Sequence, residues 1–220
     1  MHILAIDTGS TSTKIGIYRQ GRLSKSNISH PREQIRRFPR IIDQYDYRHS
    51  CIREFLSAEG AEAESFDAVV GRGGLLKPIP GGVCLVDEAM IRDLKIGVNG
   101  QHASNLSGLL AQAFAETNHC PAYVVDPVVV DELCAEARLS GLADIERISI
   151  FHALNQKAAA RSVAQEIGRP YEELRLIVAH MGGGISVGMH CLGRVIDVNN
   201  ALNGDGPFSP ERTGSLPVEG

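Results

Sequence analysis

The chain has 220 residues, of which 43% are hydrophobic and 22% charged, enough for one large domain or one and a half ordinary ones around a buried core. A net charge of −4 gives no basic footprint for nucleic acid, and no run approaches the roughly 18 apolar residues of a membrane span. Five scattered cysteines without a CxxC pair argue for reduced thiols and against a disulfide scaffold or zinc site, so the expectation is a cytoplasmic protein without nucleic-acid or membrane partners.

In chain order, "HILAID" (2–7), "TKIGIYR" (13–19) and "RLSKSNI" (22–28) predict three strands, the last two joined by a tight "QG" turn. A helical region begins near Pro31 and breaks at Pro39, and a second helix runs from Asp46, as N-cap, to about Ala58. "FDAVVG" (66–71) predicts a strand that ends in the glycine-rich "GRGG". Leu106, Leu109, Leu110, Ala113 and Phe114 recur at helical spacing, so 104–118 is a helix with Ser104 as candidate N-cap. "AYVVD" (122–126) is a buried strand closed by Asp126; helices are expected over 129–139 and from Phe151 to Ile167. "LRLIVAH", "ISVGMHC" and "RVIDVNN" complete the chain as strands. Alternating strands and helices predict an α/β fold.

An internal repeat sharpens this. Residues 3–23, "ILAIDTGSTSTKIGIYRQGRL", align with 177–195, "IVAHMGGGISVGMHCLGRV". Each has an apolar strand, a polar end residue (Asp7, His180), a small-residue turn, a second strand, then "GR" and a third strand. A turn of this kind exposes backbone N–H groups, and glycine lets a phosphate oxygen approach them closely. Gly9, Ser10, Ser12 and Lys14 in the first turn, and Gly182, Gly183 and Gly184 in the second, are therefore candidate phosphate holders, although glycine also serves a plain β-turn. No G-x-x-x-x-G-K-[ST] string occurs, which disfavours a Walker-type NTPase.

"IDTGSTSTK", "GRGGLLKPIPGG", "VVDPVVVDEL", "SIFHALNQKAAAR", "AHMGGGISVG" and "GRVIDVNNALNGDGPFSPERTGSLP" together resemble the butyrate kinase and branched-chain fatty-acid kinase family, in order from residue 1 to about 217. That family sits in the acetate kinase group of the actin-like ATPase superfamily. The resemblance implies two ribonuclease-H-like lobes, here 1–148 as a complete first lobe and 149–220 as a second lobe only begun, with a truncated C-terminus. It implies reversible phosphoryl transfer between ATP with Mg2+ and a short-chain carboxylate, giving an acyl phosphate, in a homo-oligomeric protein.

By the same resemblance, Asp7, His180 and the two glycine turns hold the nucleotide phosphates. Arg72, Asp126, His152 and Arg212 form the catalytic set, and Arg72, His102 and Arg212 contact the substrate. Asp7 and Asp126 act on magnesium. The residue types suit the chemistry, because phosphoryl transfer depends on alignment and charge neutralisation, and a guanidinium can grip a phosphate or carboxylate with two bonds. Asp7 departs from the family, which usually carries Asn there; a carboxylate near the γ-phosphate needs a cation beside it. Val128, Val129 and Val130 suggest an apolar acceptor pocket or a piece of core. Two other functions stay open: a non-catalytic module that binds a phosphate-bearing ligand or a complementary polypeptide, and a sugar-type kinase suggested by "IDTGSTSTK" alone.

Overall fold

A computed structural model describes residues 1–61, 65–203 and 205–217. The last three residues of the expected second lobe, 218–220, lie outside the described residues. The chain forms two compact units: residues 1–77 with 82–125, and residues 78–81 with everything from Asp126 onward. The division falls after Val125, earlier in the chain than the boundary at 148 that the family pattern suggests.

The first unit is a six-stranded mixed sheet in the order β3-β2-β1-β4-β6-β5. Its strands are β1 (His2–Thr8), β2 (Ser12–Arg19), β3 (Arg22–Ser29), β4 (Ala68–Gly71), β5 (Val83–Leu85) and β6 (Ala122–Val125). β1, β2 and β3 form an antiparallel meander, while β1–β4 and β4–β6 are parallel. The helices are α1 (Arg32–Ile35), α2 (Tyr45–Ala58), α3 (Glu88–Ile96) and α4 (Asn105–Asn118). Alternation in β1 and β2 sends Leu4, Ile6, Ile15 and Ile17 into the core, where Val69, Leu106, Leu110 and Val124 meet them.

α4 packs on β1, β4 and β6 at unusually close range. A Cβ added to Gly71 would lie 2.6 Å from the Ser107 carbonyl oxygen, and one added to Gly74 would lie 2.6 Å from the Asn105 Cα. The "GRGG" glycines thus let a strand end touch helix backbone. Ser104 occupies the N-cap position but makes no side-chain cap bond; the Asn105 side chain instead accepts from the Leu75 amide and donates to the Gly100 carbonyl. α2 begins at Tyr45, so Asp46 lies in its first turn and Gln44 is the N-cap residue. β5 and α3 are elements that the sequence expectation did not include. Their local signals exist: Asp87 caps α3 by accepting from the Met90 amide, and Gly97 closes it at φ +67°.

The second unit holds an antiparallel sheet of β7 (Arg175–Met181), β8 (Ile185–Cys191) and β9 (Arg194–Val198), with α5 (Ala153–Glu166) packed on β7. The repeat in the sequence is real in space: β1–β2–β3 and β7–β8–β9 are both meanders with a three-residue first turn. Both second turns are two-residue links with positive φ throughout, Gln20-Gly21 at 47° and 82° and Leu192-Gly193 at 50° and 84°.

The helix expected over 129–139 does not form. Ile79 and Val130 form a parallel bridge, and the Asp131 amide donates to the Ile79 carbonyl at 2.9 Å, which commits this backbone to an extended path. Asp131 then takes a two-bond grip from Arg138 at 2.9 and 2.8 Å, and only Glu136–Arg138 coils, as a 3-10 turn. Long-range pairing overrides the local propensity.

Gly71→Ala and Gly74→Ala should each destabilise the fold by about 1–3 kcal/mol, because the neighbour at each is helix backbone that cannot rotate away. Gly141→Ala, which meets nothing within 4 Å, should stay within about 0.5 kcal/mol. Urea unfolding of the three variants tests this ranking.

Candidate active site

In the first unit, β1 and β2 place Asp7 opposite Lys14 and Thr8 opposite Thr13, with Gly9, Ser10 and Thr11 as the turn. The Gly9 amide donates to the Ser12 carbonyl at 2.8 Å. Thr8 is fully buried and fixes the strand end to α4: its hydroxyl donates to the Ala103 carbonyl at 2.6 Å, and its amide donates to Ser107 Oγ at 3.1 Å. Arg72 leaves β4 beside this turn and donates to Asp7 Oδ1 at 3.2 Å. Arg72 thus sets a cation directly against the Asp7 carboxylate. His102 precedes α4, with Nδ1 2.8 Å from Ser104 Oγ.

Sequence reasoning missed the group beneath this turn. Arg48 of α2 is completely buried, and its guanidinium donates to the carbonyls of Gly9, Ser10 and Ser12, to Thr13 Oγ1 and to Gln44 Oε1. His30, also buried, contacts Thr13 Oγ1 at 2.8 Å and the Tyr47 hydroxyl at 3.1 Å. Burial, and secondarily the Arg48 charge, lower its pKa from 6.5 to about 4, so the ring is neutral at pH 7. No periodicity marks Arg48, because it lies on the buried face of an otherwise ordinary amphipathic helix.

In the second unit, three segments distant in sequence meet at the 182–184 turn. His152, at the N-cap position of α5, and His180, near the end of β7, stack with ring centroids 3.7 Å apart and planes inclined at 11°. The chain at 209–212 docks on the turn: the Glu211 amide and the Ser209 hydroxyl both donate to the Gly183 carbonyl, at 3.0 and 2.8 Å. A side chain on Gly184 would collide with the Arg212 guanidinium and lie 3.3 Å from His152 Cε1. The glycines therefore make room for Arg212 and the histidine pair as well as shaping a turn.

A chain of buried hydrogen bonds supports His152 from the core. The Tyr171 hydroxyl lies 2.7 Å from His190 Nδ1, His190 Nε2 lies 3.0 Å from Gln156 Oε1, and Gln156 Nε2 donates to Ser186 Oγ at 2.8 Å. Ser186 Oγ in turn lies 2.9 Å from His152 Nδ1. The carbonyl oxygen of Gln156 can only accept, so Nε2 of His190 carries the proton and Nδ1 accepts from Tyr171. Burial first, and Lys157 second, lower the His190 pKa from 6.5 to about 4.

Asp126 opens the long segment of the second unit. It follows β6 at φ +39°, and its side chain is wholly buried. Arg161 donates to its Oδ2 at 2.9 Å, and Lys157 Nζ is 3.9 Å from its Oδ1. Lys157 donates to Glu132 Oε1 at 2.7 Å, and Glu132 also receives the Gly81 and Val195 amides. Among the described residues no group of three or more His, Cys, Asp or Glu side chains is arranged to hold a metal ion. No described helix is long and apolar enough to cross a membrane.

Mixed α/β units with repeated meanders are also found in solved structures, and comparison with them shows which fold the chain shares. Porphyromonas gingivalis acetate kinase superposes with a TM-score of 0.74 at 16% identity, covering 99% of this chain and 62% of that one. Entamoeba histolytica acetate kinase gives 0.71 at 14% identity, covering 99% and 60%, and a Francisella tularensis propionate kinase gives 0.67 at 16%, covering 99% and 62%. The chain thus spans about three-fifths of the length of these structures and shares their fold. No protein-family model matches the chain.

His30 and His190 make stability depend on pH. Both have folded pKa values below the unfolded value of 6.5, so the unfolded chain binds more protons between pH 6.5 and 4. Stability should be complete above about pH 6.5, fall as the pH drops towards about 4, and then level off in this contribution. Urea midpoints at a series of pH values measure it, and His190→Gln should flatten part of the fall.

Proposed function

We propose that the chain carries the phosphoryl-transfer groups of a short-chain carboxylate kinase, which moves the γ-phosphoryl of ATP to a carboxylate oxygen and makes an acyl phosphate. The observation that carries this proposal is the cluster of His152, His180 and Arg212 around the 182–184 glycine turn. The P–O bond to ADP breaks as the new P–O bond to the carboxylate forms, and no proton need move. The protein's task is to align the reactants and offset the charge spread over the transferred phosphoryl oxygens.

Each unit offers groups for that task. In the first, the Ser10, Ser12 and Lys14 side chains and the turn amides are suited to phosphate oxygens, with Asp7 and Arg72 beside them. In the second, Arg212 supplies a forked cation, and the stacked imidazoles supply ring N–H donors. A Ser186 hydroxyl that donates to His152 Nδ1 puts the ring N–H on Nε2.

Magnesium is usually held by one or two carboxylates together with substrate phosphates. Asp7, a little over a third exposed, fits as such a carboxylate. Asp126 does not fit direct ligation, because its oxygens are buried against Arg161 and Lys157. The ion, when bound, would neutralise phosphate charge, and Asp126 serves better as an organiser of the α5 cations. Two of the three valines after it, Val129 and Val130, are core, so the preference for butyrate or a branched acid over acetate rests on the sequence resemblance, with Val128 the remaining candidate lining residue.

One feature favours a second function, an interaction module. Ile177, Met181, Val187 and Met189 lie exposed on one face of the β7–β8 sheet, at 73, 79, 40 and 43%. Such a contiguous apolar patch is typical of a surface that meets another polypeptide.

Calorimetric titration of the chain with acetyl phosphate, butyrate and Mg-ATP separates the two. A carboxylate kinase should bind acetyl phosphate, and Arg212→Ala and Gly184→Val should each weaken that binding by roughly tenfold to a hundredfold, the cost of a lost charge-assisted contact. Unchanged binding in Arg212→Ala would remove this residue from the site, and no binding of any of the three would favour the interaction module.

A further inference from the structure

We infer that Arg48 is the residue that makes the turn at 9–12 into a phosphate receptor, by holding the turn's carbonyls away from the ligand and placing a positive charge beneath it. This rests on the proposal above that the turn receives phosphate; it adds the residue responsible, which lies outside every motif of the sequence resemblance.

Arg48 is an unusual core residue. It is 0% exposed, and among the described residues no carboxylate pairs with it. A buried cation without a counter-charge costs several kcal/mol relative to an apolar side chain of the same size, so packing alone does not account for an arginine here. Burial lowers its pKa, yet an arginine starts so high that it remains charged. Its partners are all neutral oxygens: the Gly9 carbonyl at 2.9 Å, Ser10 at 3.3 Å, Ser12 at 3.1 Å, Thr13 Oγ1 at 3.0 Å, and Gln44 Oε1 at 2.9 and 3.1 Å.

The consequence is directional. The remaining carbonyl of the turn, that of Thr11, accepts from the His30 amide at 2.8 Å, so all four carbonyls from Gly9 to Ser12 have protein donors. The Gly9 amide is used by Ser12, whereas the amides of Ser10 and Thr11, both exposed residues, donate to nothing among the described residues. A peptide turn presents carbonyls and amides to a ligand with opposite effects, and carbonyl oxygens repel an anion. Here one guanidinium removes three of the repelling dipoles, and its own field then attracts an anion through a low-dielectric layer where screening by water is weak. His30 contributes no second charge, because its buried ring is neutral and serves only to seat Thr13. Lys would supply the charge but not the fork, since only the planar guanidinium reaches carbonyls on both sides of the turn at once.

The test is a pyrophosphate titration of the 220-residue chain, followed by the amide NMR shifts of Ser10 and Thr11, in the wild type, Arg48→Met and Arg48→Lys. The wild type should move both amides. Folded Arg48→Met should bind about tenfold or more weakly, without specific shifts at Ser10 and Thr11, and Arg48→Lys should recover part of the affinity. A purely structural arginine would lower the thermal midpoint in both variants without this graded loss of affinity. Wild-type binding equalled by folded Arg48→Met overturns the inference and leaves the phosphate turn standing. Should Arg48→Met fail to fold, Arg48→Lys decides, because full affinity and unchanged shifts in it overturn the role of the fork. A wild type whose Ser10 and Thr11 amides do not respond removes the phosphate reading of the turn, and the inference with it.

Discussion

A strand-end turn that is partly buried cannot leave its inward-facing carbonyls unpaired, and this constraint organises both units. In the first, the turn at 9–12 is held from behind by Arg48 of α2, and the adjoining Thr8 by Ser107 of α4. In the second, α5 plays the same part: Gln156 holds Ser186 after the 182–184 turn, and Lys157 holds Glu132 beside the extended segment at 129–131. In each unit a helix lends polar side chains from its buried face, a position where a simple amphipathic pattern would place leucine or alanine. The loss in apolar burial is offset by turns with a single defined conformation, which is what a site for a compact anion needs.

The same constraint explains the glycines. Gly71 and Gly74 are required by α4 backbone rather than by a ligand, whereas Gly183 and Gly184 are required by Glu211 and Arg212. Glycine-rich sequence thus serves two purposes in one chain, close packing of backbone in "GRGG" and admission of charged side chains in "GGG". The distinction matters for the proposed function, because only the second kind gathers His152, His180 and Arg212 into one place.

Electrostatics separates the acidic residues in a similar way. Asp7 is partly exposed and balanced by Arg72, so it can approach a phosphate or its metal ion. Asp126 and Glu132 are buried and engaged by Arg161 and Lys157, an arrangement that ties α5 to residues 126–132. Both aspartates end strands and look equivalent in sequence. Their partners come from residues 31 or more positions away, and these decide which stays at the surface and which is a buried anchor.

Much of the fold was legible from local pattern. The two meanders, their turns, α4 and α5 follow from alternation, helical spacing and glycine placement, because those signals report which face of an element is buried. α3 carried readable caps in Asp87 and Gly97 and an amphipathic pattern, whereas β5 is only three residues long and shows little periodicity. The expected helix at 129–139 failed because its backbone is claimed by residues 78–81, a pairing invisible to any local window. By itself the sequence determined the α/β architecture, the duplicated hairpin and the polar residues at the strand ends. Only the tertiary structure decided that Arg48 underlies the first turn, that Asp126 is sealed among cations, and that Arg212 reaches Gly184. Local order follows from neighbours along the chain, whereas the partner of a buried polar group is set by the packing of elements far apart in it.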